Sequence, residues 1–162
     1  MQKYQAYPFL EEEQLLCDYE IMTDELATML GWCLGAQPST EDVHLVSCVY
    51  HANGSIRAKL AVSQQDVKSL ETAYLRLDEQ LGHWKQMVLP MGCELAMRWH
   101  LIRVRCKAVL RLMYRIAKAH TVDQVLFDWF HLLANYAFLR AVMANRDQQV
   151  MEVNFQSKSY VS

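Results

Sequence analysis

Glycine and proline are scarce in this chain, 5 and 3 among 162 residues. All-β folds need turn residues every eight to twelve positions or so, so the scarcity argues against them, whereas long helices tolerate it. No Cys-x-x-Cys occurs, and the five cysteines at 17, 33, 48, 93 and 106 make an odd count. That excludes a disulfide framework and a zinc-finger spacing, leaving buried thiols in a reducing compartment as the expectation. No apolar run reaches the roughly 18 residues of a membrane span, so no membrane is expected. A formal net charge of -2 gives the whole chain no pull toward nucleic acid. Residues 1–8 lack both the apolar core of a secretory signal and the arginine-rich pattern of a transit peptide. There is no internal repeat and no low-complexity segment.

What is present is helical periodicity. Hydrophobic residues make up 52% and charged residues 21%, an ordinary globular balance for one domain. A first helix is expected over 10–34, with Glu11, Glu12 and Glu13 in its first turn and Leu15, Tyr19, Met22, Leu26, Met29, Leu30 and Cys33 as its stripe. Gly35 and Pro38 end it. A second starts after Ser39 or Thr40, without a full capping box, and runs through Asn53-Gly54 to about 61. Ser63 caps a third over 64–81, and Gly82 ends it. The loop 83–92 carries Trp84, Met87, Val88, Leu89 and Pro90, and so should pack against something. The fourth helix, 93–120, and the fifth, 122–146 with Thr121 as its cap, are apolar on more than one side.

The expected fold class is therefore all-α, an antiparallel five-helix bundle over 10–147. It is flanked by an N-terminal extension, 1–9, and a polar tail, 148–162, ordered only where a partner holds it. The broad apolar faces imply self-association or a place in a larger assembly.

Chemistry-bearing patterns are few. The histidines at 44, 51, 83, 100, 120 and 131 lack metal-ligand spacing, and His44 and His51, which could share a helix face, have no acid or cysteine assigned to complete a set. No metal is expected, and no Ser or Cys nucleophile motif is present. Arg98, Arg105, Lys107, Arg111, Arg115 and Lys118 make the fourth helix locally basic. That is a solvated face or, in the functional reading, a local contact with phosphate or RNA.

One long segment carries the strongest pattern. Met87-Val88-Leu89-Pro90-Met91-Gly92 is followed by His100-Leu101-Ile102-Arg103 and then Lys107-Ala108-Val109-Leu110-Arg111. With Asp24-Glu25-Leu26, Leu30-Gly31, Asp66-Val67, Leu70-Glu71 and Ala144-Asn145, it resembles the PduO-type corrinoid (ATP:cob(I)alamin) adenosyltransferases. The resemblance implies a trimeric five-helix bundle that binds ATP and cobalamin between subunits and transfers the adenosyl group of ATP to Co(I), releasing triphosphate.

Position by position, the same resemblance argues against that chemistry. It implies a subunit-boundary ion pair between Arg103 and Asp24, a pair that outlasts catalysis because stranding one buried charge costs roughly 3–5 kcal/mol. Lys107 stands where the family has a phosphate-binding arginine, and loses its bidentate fork. Ala108 and Leu110 replace a further arginine and a glutamate. Met87 replaces an aromatic residue beside the corrinoid, His131 an asparagine that contacts ATP, Leu132 an arginine and Asn135 an aspartate. The family's N-terminal phosphate loop, Thr-Gly-Asp-x-Gly-x-Thr, has no counterpart in the first ten residues, which contain no Gly, Ser or Thr.

Asp24, Met87, Arg103, Lys107, His131 and Asn135 are thus expected as vestigial site positions, with no catalytic residue and no cofactor. The implied role is a non-catalytic structural or interaction subunit. By family analogy it would be mitochondrial, for example in the mitochondrial ribosome, with the cytoplasm second. The alternative is a divergent active transferase using ATP and cobalamin, with Ser157, Lys158 and Ser159 of the tail supplying the phosphate cradle.

Overall fold

A computed structural model describes residues 3–160. Residues 1–2 of the expected extension and 161–162 of the expected tail lie outside the described residues. The helices are α1 (Leu16–Leu34), α2 (Thr40–Ser55), α3 (Gln64–Gln80), α4 (Glu94–Ile116) and α5 (Gln124–Asp147). α5 packs on α4 and α3, and α1 packs on α2 and α4. Helices α1 and α4 are antiparallel. As α4 advances from Arg98 to Arg105, its hydrogen-bond partner on α1 retreats from the Trp32 carbonyl to the Glu25 carboxylate. Tyr19, Leu26, Leu30, Trp99, Ile102, Met113, Trp129, Phe130 and Leu133 fill the centre. Phe130 receives Tyr19 and Trp129 edge-on, at 6.4 and 5.2 Å between ring centroids.

The helix ends differ from expectation where a distant or unforeseen partner intervenes. α1 begins at Leu16 rather than at 10. Residues 3–15 instead turn back on the bundle because Arg57 takes the Glu12 carboxylate, so Asp18 alone is the acid of the first turn. α2 contains Asn53 and Gly54, as the periodicity implies, but stops at Ser55, where the Ser55 hydroxyl accepts the Ala61 N–H at 2.9 Å. Its cap is a full capping box after all. Ser39 Oγ accepts from Asp42 N, and Asp42 returns the bond to Ser39 N, an aspartate filling the role usually taken by Glu or Gln. Ser63 caps α3 as expected, with Asp66 completing a second box. α4 is capped at Cys93 and ends at Ile116, and Asp123, not Thr121, caps α5 by accepting from Val125 N.

The described part of the tail pairs with the apolar loop. Val88 and Asn154 form an antiparallel bridge, Leu89 N–H donates to the Val153 carbonyl at 2.8 Å, and Phe155 N–H donates to the Met87 carbonyl at 2.9 Å. The apolar loop and the tail thus satisfy each other's backbone groups. Among the described residues, no helix is long and apolar enough to cross a membrane.

Candidate functional site

Six expected site positions fall on three helices and a loop. Arg103 and Lys107 lie one turn apart on α4, and His131 and Asn135 one turn apart on α5. The Tyr114 hydroxyl, 3.2 Å from His131 Nε2, ties the α4 end of this surface to α5. Lys107, His131 and Asn135 are exposed. Met87 is 67% exposed, and its carbonyl accepts from the Phe155 N–H. Asp24 is on the outer side of α1, where it accepts a 2.5 Å hydrogen bond from the Tyr50 hydroxyl. That bond raises the Tyr50 pKa, with burial adding to it.

The expected ion pair between Arg103 and Asp24 is not made within the chain. The reason is angular. Residues 103 and 105 are separated by about 200° around a helix. It is Arg105, bonded to Glu25, that faces α1. Arg103 is half-buried, its Nε has no partner, and burial lowers its pKa. His100, one turn earlier, is 2% exposed, and neither ring nitrogen finds a partner. Its ring meets Phe138 edge-on at 6.2 Å. Burial first, and the positive charge of Arg103 second, push its pKa down to about 4.

A pH dependence follows. An unfolded histidine titrates near 6.5, so between about 6.5 and 4 the unfolded chain binds a proton that the folded chain refuses. Stability is full above that window and falls as pH drops through it. At pH 5 the loss should be about 2 kcal/mol. His100→Phe keeps an aromatic ring and removes the titration. Denaturation midpoints at pH 7 and pH 5 should therefore separate more in the wild type than in the variant, and equal separations would refute the assignment.

The segment leading into α1 is built as an acidic clasp. Arg57 donates to both Glu12 oxygens at 2.8 and 2.7 Å, and to both Glu20 oxygens at 2.8 and 2.9 Å. Its guanidinium stacks over the Phe9 ring at 3.9 Å. Glu11 and Glu13 stay exposed beside it. Three carboxylates, Glu11, Glu12 and Glu13, thus stand together before α1, one of them paired with Arg57.

Two constellations escaped the sequence reading. The first is Asn145, fully buried near the end of α5. Its side chain accepts from Cys93 N at 2.9 Å and donates to the Met91 carbonyl at 3.0 Å and to Glu152 at 2.9 Å. The Pro90-Met91-Gly92 turn and the Ala144-Asn145 pair, two separate stretches in sequence, are thus a single contact. The second is His44, Cys48 and Asp66. His44 Nε2 lies 3.0 Å from Asp66 Oδ1 and 3.5 Å from Cys48 Sγ. An acid and a cysteine do complete a set around His44, contrary to the expectation. The readable signal was the four-residue spacing of His44 and Cys48; Asp66 comes from the next helix. They line a cavity of about 600 Å3 that Trp129, Tyr136 and Arg140 also border.

The family model for cobalamin adenosyltransferase matches residues 21–144, a span that includes all six expected site positions. Among solved structures, the fold is similar to a phenylalanine-to-alanine variant of the PduO-type ATP:corrinoid adenosyltransferase from Lactobacillus reuteri, complexed with cobalamin and ATP. The TM-score is 0.78 at 18% identity, covering 90% of this chain and 88% of that one. An arginine-to-lysine variant of the PduO-type enzyme from the same organism, complexed with ATP, gives 0.80 at 18% identity, covering 90% and 89%. Likeness at that identity establishes the all-α five-helix fold. No curated protein sequence matches this one significantly.

Proposed function

The chain belongs to the cobalamin adenosyltransferase family, and we propose that it has kept the family's bundle without its chemistry, acting as a structural or interaction subunit of a larger assembly. The observation that carries this reading is the segment before α1. Where the resemblance implies a triphosphate cradle, Arg57 pins Glu12, and Glu11 and Glu13 stand beside it. Like charges disfavour a triphosphate there. The lost fork at Lys107, the apolar Leu110 and the exposed Met87 agree with it.

The interaction role rests on an unmatched surface. Ile21 and Trp32 on α1 and Leu101 and Val104 on α4 are large apolar side chains left about half exposed. On a different side of α4, Arg103 Nε lacks a partner within the chain. A second copy presenting Asp24 to Arg103 would satisfy the pair that the resemblance implies at a subunit boundary.

The test is a titration of the purified protein with ATP and with cobalamin, followed by a search for adenosylcobalamin under reducing conditions. No product and no saturable ATP binding are expected. Tight ATP binding with turnover would sink the proposal in favour of a divergent transferase. That second reading draws on Lys107 and Arg111, neither of which has an acidic partner among the described residues. Native mass spectrometry of the complex reports on self-association separately.

A further inference from the structure

We propose that His44, Cys48 and Asp66 form a binding site for a zinc-class divalent cation, with a fourth coordination position open to the adjoining cavity. The site is independent of the surface on α4 and of the role proposed above.

The geometry suits a small tetrahedral ion. His44 and Cys48 are one turn apart on α2, so both side chains leave the same face. Asp66 approaches from the first turn of α3. The three donor atoms lie within 4.8 Å of one another. Bonds of about 2.0–2.2 Å to nitrogen and oxygen and about 2.3 Å to sulfur require donor separations of about 3.4–3.6 Å in a tetrahedron. The observed 3.0 Å needs a slight spreading of His44 from Asp66, the 3.5 Å fits, and Cys48 and Asp66 lie within 4.8 Å of each other.

The carboxylate is also held for the task. Asp66 Oδ2 accepts from Ser63 N at 2.7 Å and from Ser63 Oγ at 2.6 Å, which leaves Oδ1 turned to the cluster. The capping box of α3 is thereby the outer support that orients the ligand. A hydrolytic Cys–His–Asp relay does not fit the same atoms. Such a relay uses both ring nitrogens, one toward the acid and one toward the thiol, whereas here both contacts converge on Nε2. Convergence on one lone pair is what a cation exploits.

The donor set selects the ion. One sulfur, one imidazole and one carboxylate favour zinc-class ions over magnesium or calcium, which prefer oxygen alone. A thiolate and a carboxylate also balance a divalent charge. Cys48 coordinates as the thiolate, so binding expels its proton, which makes affinity rise with pH. Three protein ligands with one open position is the arrangement of catalytic rather than purely structural zinc sites. Here the open position faces a cavity of about 600 Å3 that includes the cations Lys68, Arg76 and Arg140. An anion could reach the metal there.

The experiment uses the full chain, stripped with chelator and titrated with zinc chloride by calorimetry in two buffers of different ionisation enthalpy. About one equivalent should bind, with about one proton released per ion. His44→Gln and Cys48→Ser should each weaken binding by about tenfold or more. Both should keep the wild-type far-UV dichroism, since neither position caps a helix. Cobalt(II) should give the wild type, and not Cys48→Ser, a thiolate-to-metal charge-transfer band. Absence of stoichiometric zinc uptake, uptake that both variants retain unchanged, or a cobalt complex without the thiolate band would each overturn the site.

Discussion

Arg57→Met should destabilise the protein by about 3–5 kcal/mol, the usual consequence of removing one member of a buried ion pair. Glu20 is 5% exposed, and both its oxygens are satisfied by Arg57. Methionine keeps the length and apolar stem of the arginine but leaves Glu20 without a cationic partner inside the bundle. It also releases Glu12 and removes the cation from the Phe9 face. Two levels of response are expected. The urea midpoint should fall, and residues 3–15 should become accessible to protease at urea concentrations where the helices persist. Glu12→Gln should produce the second effect without much of the first. Arg57→Met combined with Glu20→Leu should recover a large part of the loss, since the stranded charge is then gone. A single variant as stable as the wild type would show that the clasp does not form.

The clasp has a pH signature as well. The hydrogen bond from Arg57 first, and its charge after that, hold the Glu12 carboxyl below the usual carboxylate range. A depressed folded pKa means that the contribution is present at neutral pH and above. It is lost as pH falls through the ordinary carboxylate range and below it. The N-terminal segment should therefore loosen in acid before the helices melt.

These contacts show where the sequence was legible. Spacing at three and four residues gave the five helices, because core burial imposes that period over a long stretch. Tyr19, Leu26 and Leu30 stand on the expected stripe of α1, and all are fully buried. Ends were harder. The three glutamates at 11–13 read as a first turn by the dipole argument, which is local. Arg57, whose bond to Glu12 spans 45 positions, decides otherwise. The same limit applies to the sites. A motif put Arg103 on α4 and Asp24 on α1. Within one chain, rotation about α4 turns Arg105 rather than Arg103 toward α1, which leaves a pair across a subunit boundary to a second copy. His44 and Cys48 were within reach of a one-turn spacing rule, while Asp66 required knowing how α2 and α3 meet.

Asn145→Ala should cost about 2–4 kcal/mol, because each partner left unsatisfied forfeits about 1 kcal/mol or more. Three partners are stranded at once. Cys93 N–H, at the cap of α4, loses its acceptor, the Met91 carbonyl loses its donor, and Glu152, whose other oxygen is already buried without a partner, loses its hydrogen bond. Amide exchange should speed up at Leu89 and Phe155, since the loop-to-tail ladder hangs on the same turn. Gly92→Ala should be at least as damaging. Gly92 sits at φ +126°, and a Cβ there would lie 2.1 Å from Asn145 Oδ1 and 2.4 Å from Nδ2. Neither atom can yield without breaking the three hydrogen bonds. The double variant then separates the two mechanisms. With alanine at 145 the clashing atoms no longer exist, so only the backbone strain of a side chain at positive φ, about 1–2 kcal/mol, remains to be added. The loss for Gly92→Ala plus Asn145→Ala should thus fall short of the sum of the single losses by about 1 kcal/mol or more. Strict additivity would mean that the turn and the end of α5 do not meet through this side chain.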